Sequence, residues 1–322
     1  MKQPWSASLS LFDKYENKRA QISGDYRKAL CWTERFGAAT AVIGASMGIS
    51  HADPAWPSGP FTWEQGQGAV HISAAQTGER PICVLTRVTG KFRGGGEAVR
   101  LERLPNGDYT LHGSSQQEGL GAQAYCFSAS QIQGTNNSVW DVHDIVTGWV
   151  KSGSGSCEDA PVSRKVMPNG KWFSLISGMS GEFKGGGEYI QVNQSRSLEE
   201  HSEFSAHSCA DDGYVRGWAM SFYVGDMSKV LFDGPEFVVN DGAQAQNSTP
   251  NSLPMAPVDS SICGFTFISG QFDGGGEYVE IRPLRGRWQL TAKASNSAND
   301  PTVFARAHCF RRDQSGRPKL RQ

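Results

Sequence analysis

Three glutamates stand out for chemistry: Glu97, Glu188 and Glu277 each close a run of three glycines, in FRGGGEAVRL (92–101), FKGGGEYIQV (183–192) and FDGGGEYVEI (272–281). A carboxylate at the end of a glycine-rich loop can accept hydrogen bonds from the loop's own N–H groups, contact a calcium ion or a sugar, or serve as a general acid or base. Each lies two residues before the first aliphatic of a period-two stretch, so it shares that residue's face, points inward and needs a partner. Loop pinning is the first expectation, a ligand contact at Glu97, Glu188 and Glu277 the second, and catalysis the third. A phosphate loop is not indicated, because no copy has the Lys-Ser/Thr ending or the strand-loop-helix setting that such loops need.

Other residues offer less. GASMG at 44–48 has the spacing of a hydrolase nucleophile turn, but no strand precedes it. Asp141, His143 and Asp144 in DVHD have metal-ligating side chains without a partner cluster in the sequence, and a solvated loop is expected there. His112, His207 and His308 fall in or beside expected strands as ordinary polar residues. Tyr109 and Trp288, in the matching turns NGDYTL and RGRWQL, are candidates for stacking on a sugar face. No cofactor and no metal are expected.

The elements that must position these residues repeat. Aligned on Gly90, Gly181 and Gly270, three copies lie 91 and 89 residues apart and share Ser/Thr-Gly-x-Phe-x-Gly-Gly-Gly-Glu-x-Val/Ile-x-aliphatic. Solenoid and propeller units run about 20 to 50 residues, so each copy reads as a small domain or as one third of a pseudo-symmetric assembly. Segments before the glycines (CVLTRVTGKF, SLISGMSGEF, CGFTFISGQF) are rich in β-branched and aromatic residues, and those after them alternate, as strands do. The glycines then read as a hairpin connection whose backbone enters positive φ. AQAYCF, SAHSCA and ARAHCF read as the closing strands, which leaves the second copy shortened, with a strand lost or cut short.

With 38 glycines and 15 prolines in 322 residues, the composition favours an all-β, sandwich-like or pseudo-threefold antiparallel architecture. The expected division is a leader at 1–52, copies at 53–130, 131–215 and 216–312, a Pro/Asn-rich loop at 240–261 and a basic tail at 313–322. In the leader, the uncharged run 36–50 resembles the apolar core of a signal peptide cut after Ala52. Beyond it lie six cysteines, which the repeat pairs as Cys83–Cys126, Cys157–Cys209 and Cys263–Cys309, fitting a secreted, envelope or periplasmic location. In the second copy Ser174 takes the place of the first cysteine, so that pair needs another route. A net charge of −1 gives no case for nucleic acid, and no apolar run is long enough to span a membrane. The expected function is a non-catalytic binding or surface-interaction protein, with carbohydrate or cell-envelope glycan as partner; the alternatives are a secreted hydrolase or enzyme inhibitor using acidic residues, or a structural envelope protein.

Overall fold

The structure is a computed structural model and describes residues 57–77, 81–128, 142–146, 150–151, 158–159, 166–168, 172–185, 187–193, 201–208, 214–223, 230–232, 237–241, 250–272, 276–294 and 303–312. The chain divides into two units, Met1–His51 and Ala52–Gln322, and every described residue belongs to the second. The expected leader and its cleavage site, GASMG, Cys157, Cys209 and the basic tail lie outside the described residues.

The fold is all-β and antiparallel. Copy one supplies β1 (Ser58–Glu64), β2 (Val70–Ile72), a short helical turn α1 (Ala74–Thr77), β3 (Pro81–Thr89), β4 (Ala98–Arg103), β5 (Tyr109–Ser114) and β6 (Gly121–Ser128). Copy two supplies β7 (Val142–Val146), β8 (Val150–Lys151), β9 (Glu158–Asp159), β10 (Val166–Pro168), β11 (Trp172–Gly181), β12 (Tyr189–Asn193), β13 (His201–Ser208) and β14 (Tyr214–Tyr223). Copy three supplies β15 (Val230–Phe232), β16 (Phe237–Asp241), β17 (Asn251–Pro257), β18 (Ser261–Gly270), β19 (Tyr278–Leu284), β20 (Arg287–Lys293) and β21 (Val303–Arg312).

Each sheet is shared by two copies. One runs β1-β6-β3-β19-β20-β17, joining copies one and three; another runs β2-β5-β4-β11-β14-β7, joining one and two; the third runs β10-β13-β12-β18-β21-β15, joining two and three. The glycine runs are therefore not hairpins, because the strands on either side of each belong to different sheets. Instead each run carries the chain from one sheet to the next, and three such crossings close a ring. Gly181 N–H donates to Glu97 O at 3.0 Å, Gly270 N–H to Glu188 O at 3.3 Å and Gly90 N–H to Glu277 O at 3.3 Å. At the centre Phe92, Phe183 and Phe272 bond one another head to tail, with N–H to C=O distances of 2.6, 2.8 and 2.8 Å. Their rings meet edge to face at 5.9 to 6.2 Å and are fully buried. Edge-to-face contact directs a positive ring edge at a negative ring face, and three rings satisfy this cyclically.

Copy two has not lost a strand. β13, which contains SAHS, pairs with β12 as β5 pairs with β4 and β20 with β19. The strand that closes copy two is β14, paired with β11 as β6 pairs with β3 and β21 with β18, so a boundary at 215 would cut through it. Cys83 stands opposite Cys126 and Cys263 opposite Cys309, and both pairs are disulfide-bonded as expected. The expected loop at 240–261 also gives way to structure, since β17 pairs with β20 at the rim of its sheet, where Pro254 and Pro257 remove no ladder bond that the sheet needs. DVHD likewise leads into a strand, β7, paired with β14.

All three of β3, β11 and β18 carry a register shift at the same place, with Thr86, Ser177 and Thr266 as the extra residue. One inserted residue reverses which face each later side chain takes. Without it Arg87 would follow Cys83 and Leu85 into the core; with it Val88 is buried and Arg87 faces out. Below the shift both faces of these strands are buried, partly by other copies. Tyr125 and Phe127 of copy one pack on Trp288 of copy three at 5.4 and 6.0 Å, and Phe173 of copy two meets Phe310 of copy three at 4.5 Å. The core is thus common to the three copies, each of which would expose aromatic surface alone.

Candidate functional site

Glu97, Glu188 and Glu277 are 3%, 2% and 1% exposed; Glu188 and Glu277 each accept a bond from a loop N–H, whereas Glu97 Oε2 is buried with no hydrogen-bond partner among the described residues. Gly185 N–H donates to Glu188 Oε2 at 2.7 Å, and Gly276 N–H to Glu277 Oε2 at 3.0 Å. Glu97 N–H closes a turn onto Gly94 O at 3.3 Å, and a Cβ on Gly94 would lie 2.7 Å from Glu97 Oε2. In copy one the carboxylate folds back over the first glycine of the run, where a side chain would not fit. Positive φ belongs elsewhere: Gly94, Gly95, Gly96, Gly185 and Gly276 have none, whereas Gly90, Gly181 and Gly270, just before the loop, have φ of 108°, 114° and 122°. A Cβ on Gly181 would also collide with the carbonyl oxygen of Tyr214.

Tyr109 and Trp288 occupy equivalent places, as expected, but both are fully buried. Trp288 donates its indole N–H to Ser261 O at 2.9 Å, and neither ring presents a face to solvent. The structure does not bring these two residues together with the glutamates. Among the described residues no group of three or more His, Cys, Asp or Glu could hold a metal ion.

At the seams, where strands of two copies pair, the register shift turns side chains outward. At the seam of β3 and β19, Arg87 stands opposite Glu280 at 3.5 Å and over the Tyr278 ring at 5.0 Å, with Lys293 at 5.9 Å from the same ring. At the seam of β4 and β11, Gly178 stands opposite Arg100 and beside Trp218. A Cβ on Gly178 would lie 2.6 Å from Val99 O and 3.1 Å from Trp218 Cε3, so the absent side chain leaves room for the indole. At the seam of β12 and β18, Phe267 lies opposite Gln191, stacks on Tyr189 at 5.3 Å and receives Arg306 at 4.8 Å. Tyr189 in turn stacks on His207 at 4.8 Å.

No protein-family model matches this chain, and no curated protein matches it. The seams are equivalent in position and different in composition: Arg87, Gly178 and Phe267 share one site, as do Gln123, Trp218 and Arg306. Sequence reasoning missed them. The available signal was the fourth residue after Cys83, Ser174 and Cys263, which is Arg87, Gly178 or Phe267 where the residues on either side match in kind across the copies.

Proposed function

We propose that the protein is an exported, non-catalytic binding module that recognises carbohydrate through the outward faces of its three seams. The observation behind this reading is that every seam sets a half-buried aromatic ring in contact with an arginine: Tyr278 with Arg87, Trp218 with Arg100 and Arg216, Phe267 with Arg306. Such rings stack on the apolar face of a sugar while guanidinium and carboxylate groups bond its hydroxyls. Three faces on one unit suit weak sites used together, since the second and third contacts are made at high effective concentration. Two disulfides fit an oxidising compartment, and with it the cell envelope or the medium. Burial of the three glutamates within loop geometry favours binding over the hydrolase alternative.

A glycan array probed with the chain from Asp53 onward tests the reading. Binding is expected, and Trp218→Ala, Tyr278→Ala and Phe267→Ala should each weaken it without lowering the melting temperature as core substitutions do. An array without signal, or binding untouched by all three changes together, overturns it.

A further inference from the structure

The sheet shared by copies one and three carries a row of side chains that crosses all six of its strands. From β1 to β17 the residues directly opposite one another are Thr62, Gln123, Arg87, Glu280, Thr291 and Ser252. Directly opposed residues share a face, and this face is the outward one, since the adjacent Trp63, Val88 and Ile281 belong to the core. Every member is polar. Strands lie about 4.8 Å apart, so the row makes a track on the order of 24 Å long. The equivalent rows are interrupted by rings or by a missing side chain: Trp218, Gly178, Arg100 and His112 on the second sheet, Arg306, Phe267, Gln191 and Ser205 on the third.

Within the row, Glu280 and Thr291 are nearly buried and form its floor. Glu280 lies 3.5 Å from Arg87 and 3.5 Å from Arg282, and Thr291 Oγ1 lies 3.0 Å from Ser252 Oγ, so the floor holds Arg87 and Ser252 in place. Thr62 and Ser252 are exposed and Gln123 is half-buried. The side chains of Thr62 and Gln123 make no hydrogen bond to another described residue.

The geometry points to a neutral, linear polysaccharide chain lying across the strands of this sheet, its hydroxyls bonded in turn by Thr62, Gln123, Arg87 and Ser252. This deepens the carbohydrate reading above and rests on it. A sugar hydroxyl both donates and accepts, so hydroxyl, amide and guanidinium side chains all match it. The row's one cation, Arg87, is paired with its one anion, Glu280, which suits a chain without charge. A protein partner would call for an apolar or aromatic centre, and the row has none.

Calorimetric titration of the full chain with linear xylan, mannan and chitin oligomers, from two to eight sugars, tests it. In at least one series affinity should rise by roughly tenfold or more between two and six sugars, as one or two further net hydrogen bonds would give, and level off once the row is spanned. Thr62→Val with Gln123→Ala, two changes that break no hydrogen bond between described residues, should flatten that rise while the shortest oligomers bind as before and the melting temperature holds. Gln191→Ala, on the equivalent row of the third sheet, should leave the rise intact. Affinity independent of length, or a rise that survives the double variant and is lost with Gln191→Ala, overturns the row and leaves the carbohydrate reading standing; no binding in any of the three series overturns both.

Discussion

Ser174 stands opposite Ser221 with their hydroxyl oxygens 2.6 Å apart, at the place where Cys83 faces Cys126 and Cys263 faces Cys309. The second copy therefore keeps the strand register of its neighbours and replaces a covalent staple with a buried hydroxyl pair. Ser174→Cys with Ser221→Cys should form a disulfide on oxidative refolding, because the partner strands already hold the two positions in the pairing that bonds the other copies. Closing that loop is worth roughly 2 to 4 kcal/mol in the chain-entropy model. Non-reducing peptide mapping and denaturant melts check it; free thiols at both positions in folded protein would show that copy two departs from the shared geometry.

The glycines separate into those the backbone needs and those it does not. Gly181→Ala should lower stability by about 1 to 3 kcal/mol or more, since the residue holds φ of 114° and its new Cβ would strike the Tyr214 carbonyl. Gly96 has no heavy atom within 4 Å of its would-be Cβ, and no positive φ. Gly96→Ala should then change stability by less than about 0.5 kcal/mol. Urea melts of the two variants provide the comparison, and equal costs would contradict it.

Tyr125 links stability to alkaline pH. Burial first, and then the charge of Glu280, raise its phenol above 10.0, with Arg282 opposing. The folded state therefore keeps a proton that the unfolded state gives up, so the contribution is complete below pH 10.0 and is lost as pH rises from there through the folded value. Tyr125→Phe should flatten the fall in melting temperature above about pH 10 while leaving the value near neutrality little changed. A parallel fall in both proteins would contradict the assignment.

Much of the fold was legible in the residues. Alternating Val99 and Leu101, Ile190 and Val192, Val279 and Ile281 marked strands with one buried face, and all six are in the core. Cys83 and Cys126 marked partner strands because a disulfide needs close backbones. Period two tells which face is buried but not which strand lies alongside, so the pairing of β4 with β11 across copies had no local signal. In the second copy Cys209 in SAHSCA drew the alignment to β13, while the true counterpart of Cys126, Ser221, carries no sulfur to reveal it. The seam faces were hidden for a further reason: one inserted residue, Thr86, Ser177 or Thr266, decides whether the next side chain faces core or solvent, and nothing in those residues announces the shift.

Loss of a single loop carboxylate should be felt as stability alone. Glu188→Ala leaves the Gly185 N–H without its acceptor, at a cost of about 1 to 3 kcal/mol, whereas Glu188→Gln keeps an acceptor and should cost about 1 kcal/mol. Thermal melts distinguish the two, and an unchanged melt for Glu188→Ala would show that the loop does not depend on this bond.

The most direct measurement is glycan binding by the triple variant Glu97→Gln, Glu188→Gln, Glu277→Gln, read on the same array as the parent and well below the variant's melting temperature. The three glutamates sit buried at the crossings that close the ring, away from the seams proposed as the ligand surface. A lowered melting temperature with the parent's binding pattern intact is the result this account predicts. An unchanged melting temperature with binding abolished would contradict it and make the three carboxylates the functional site.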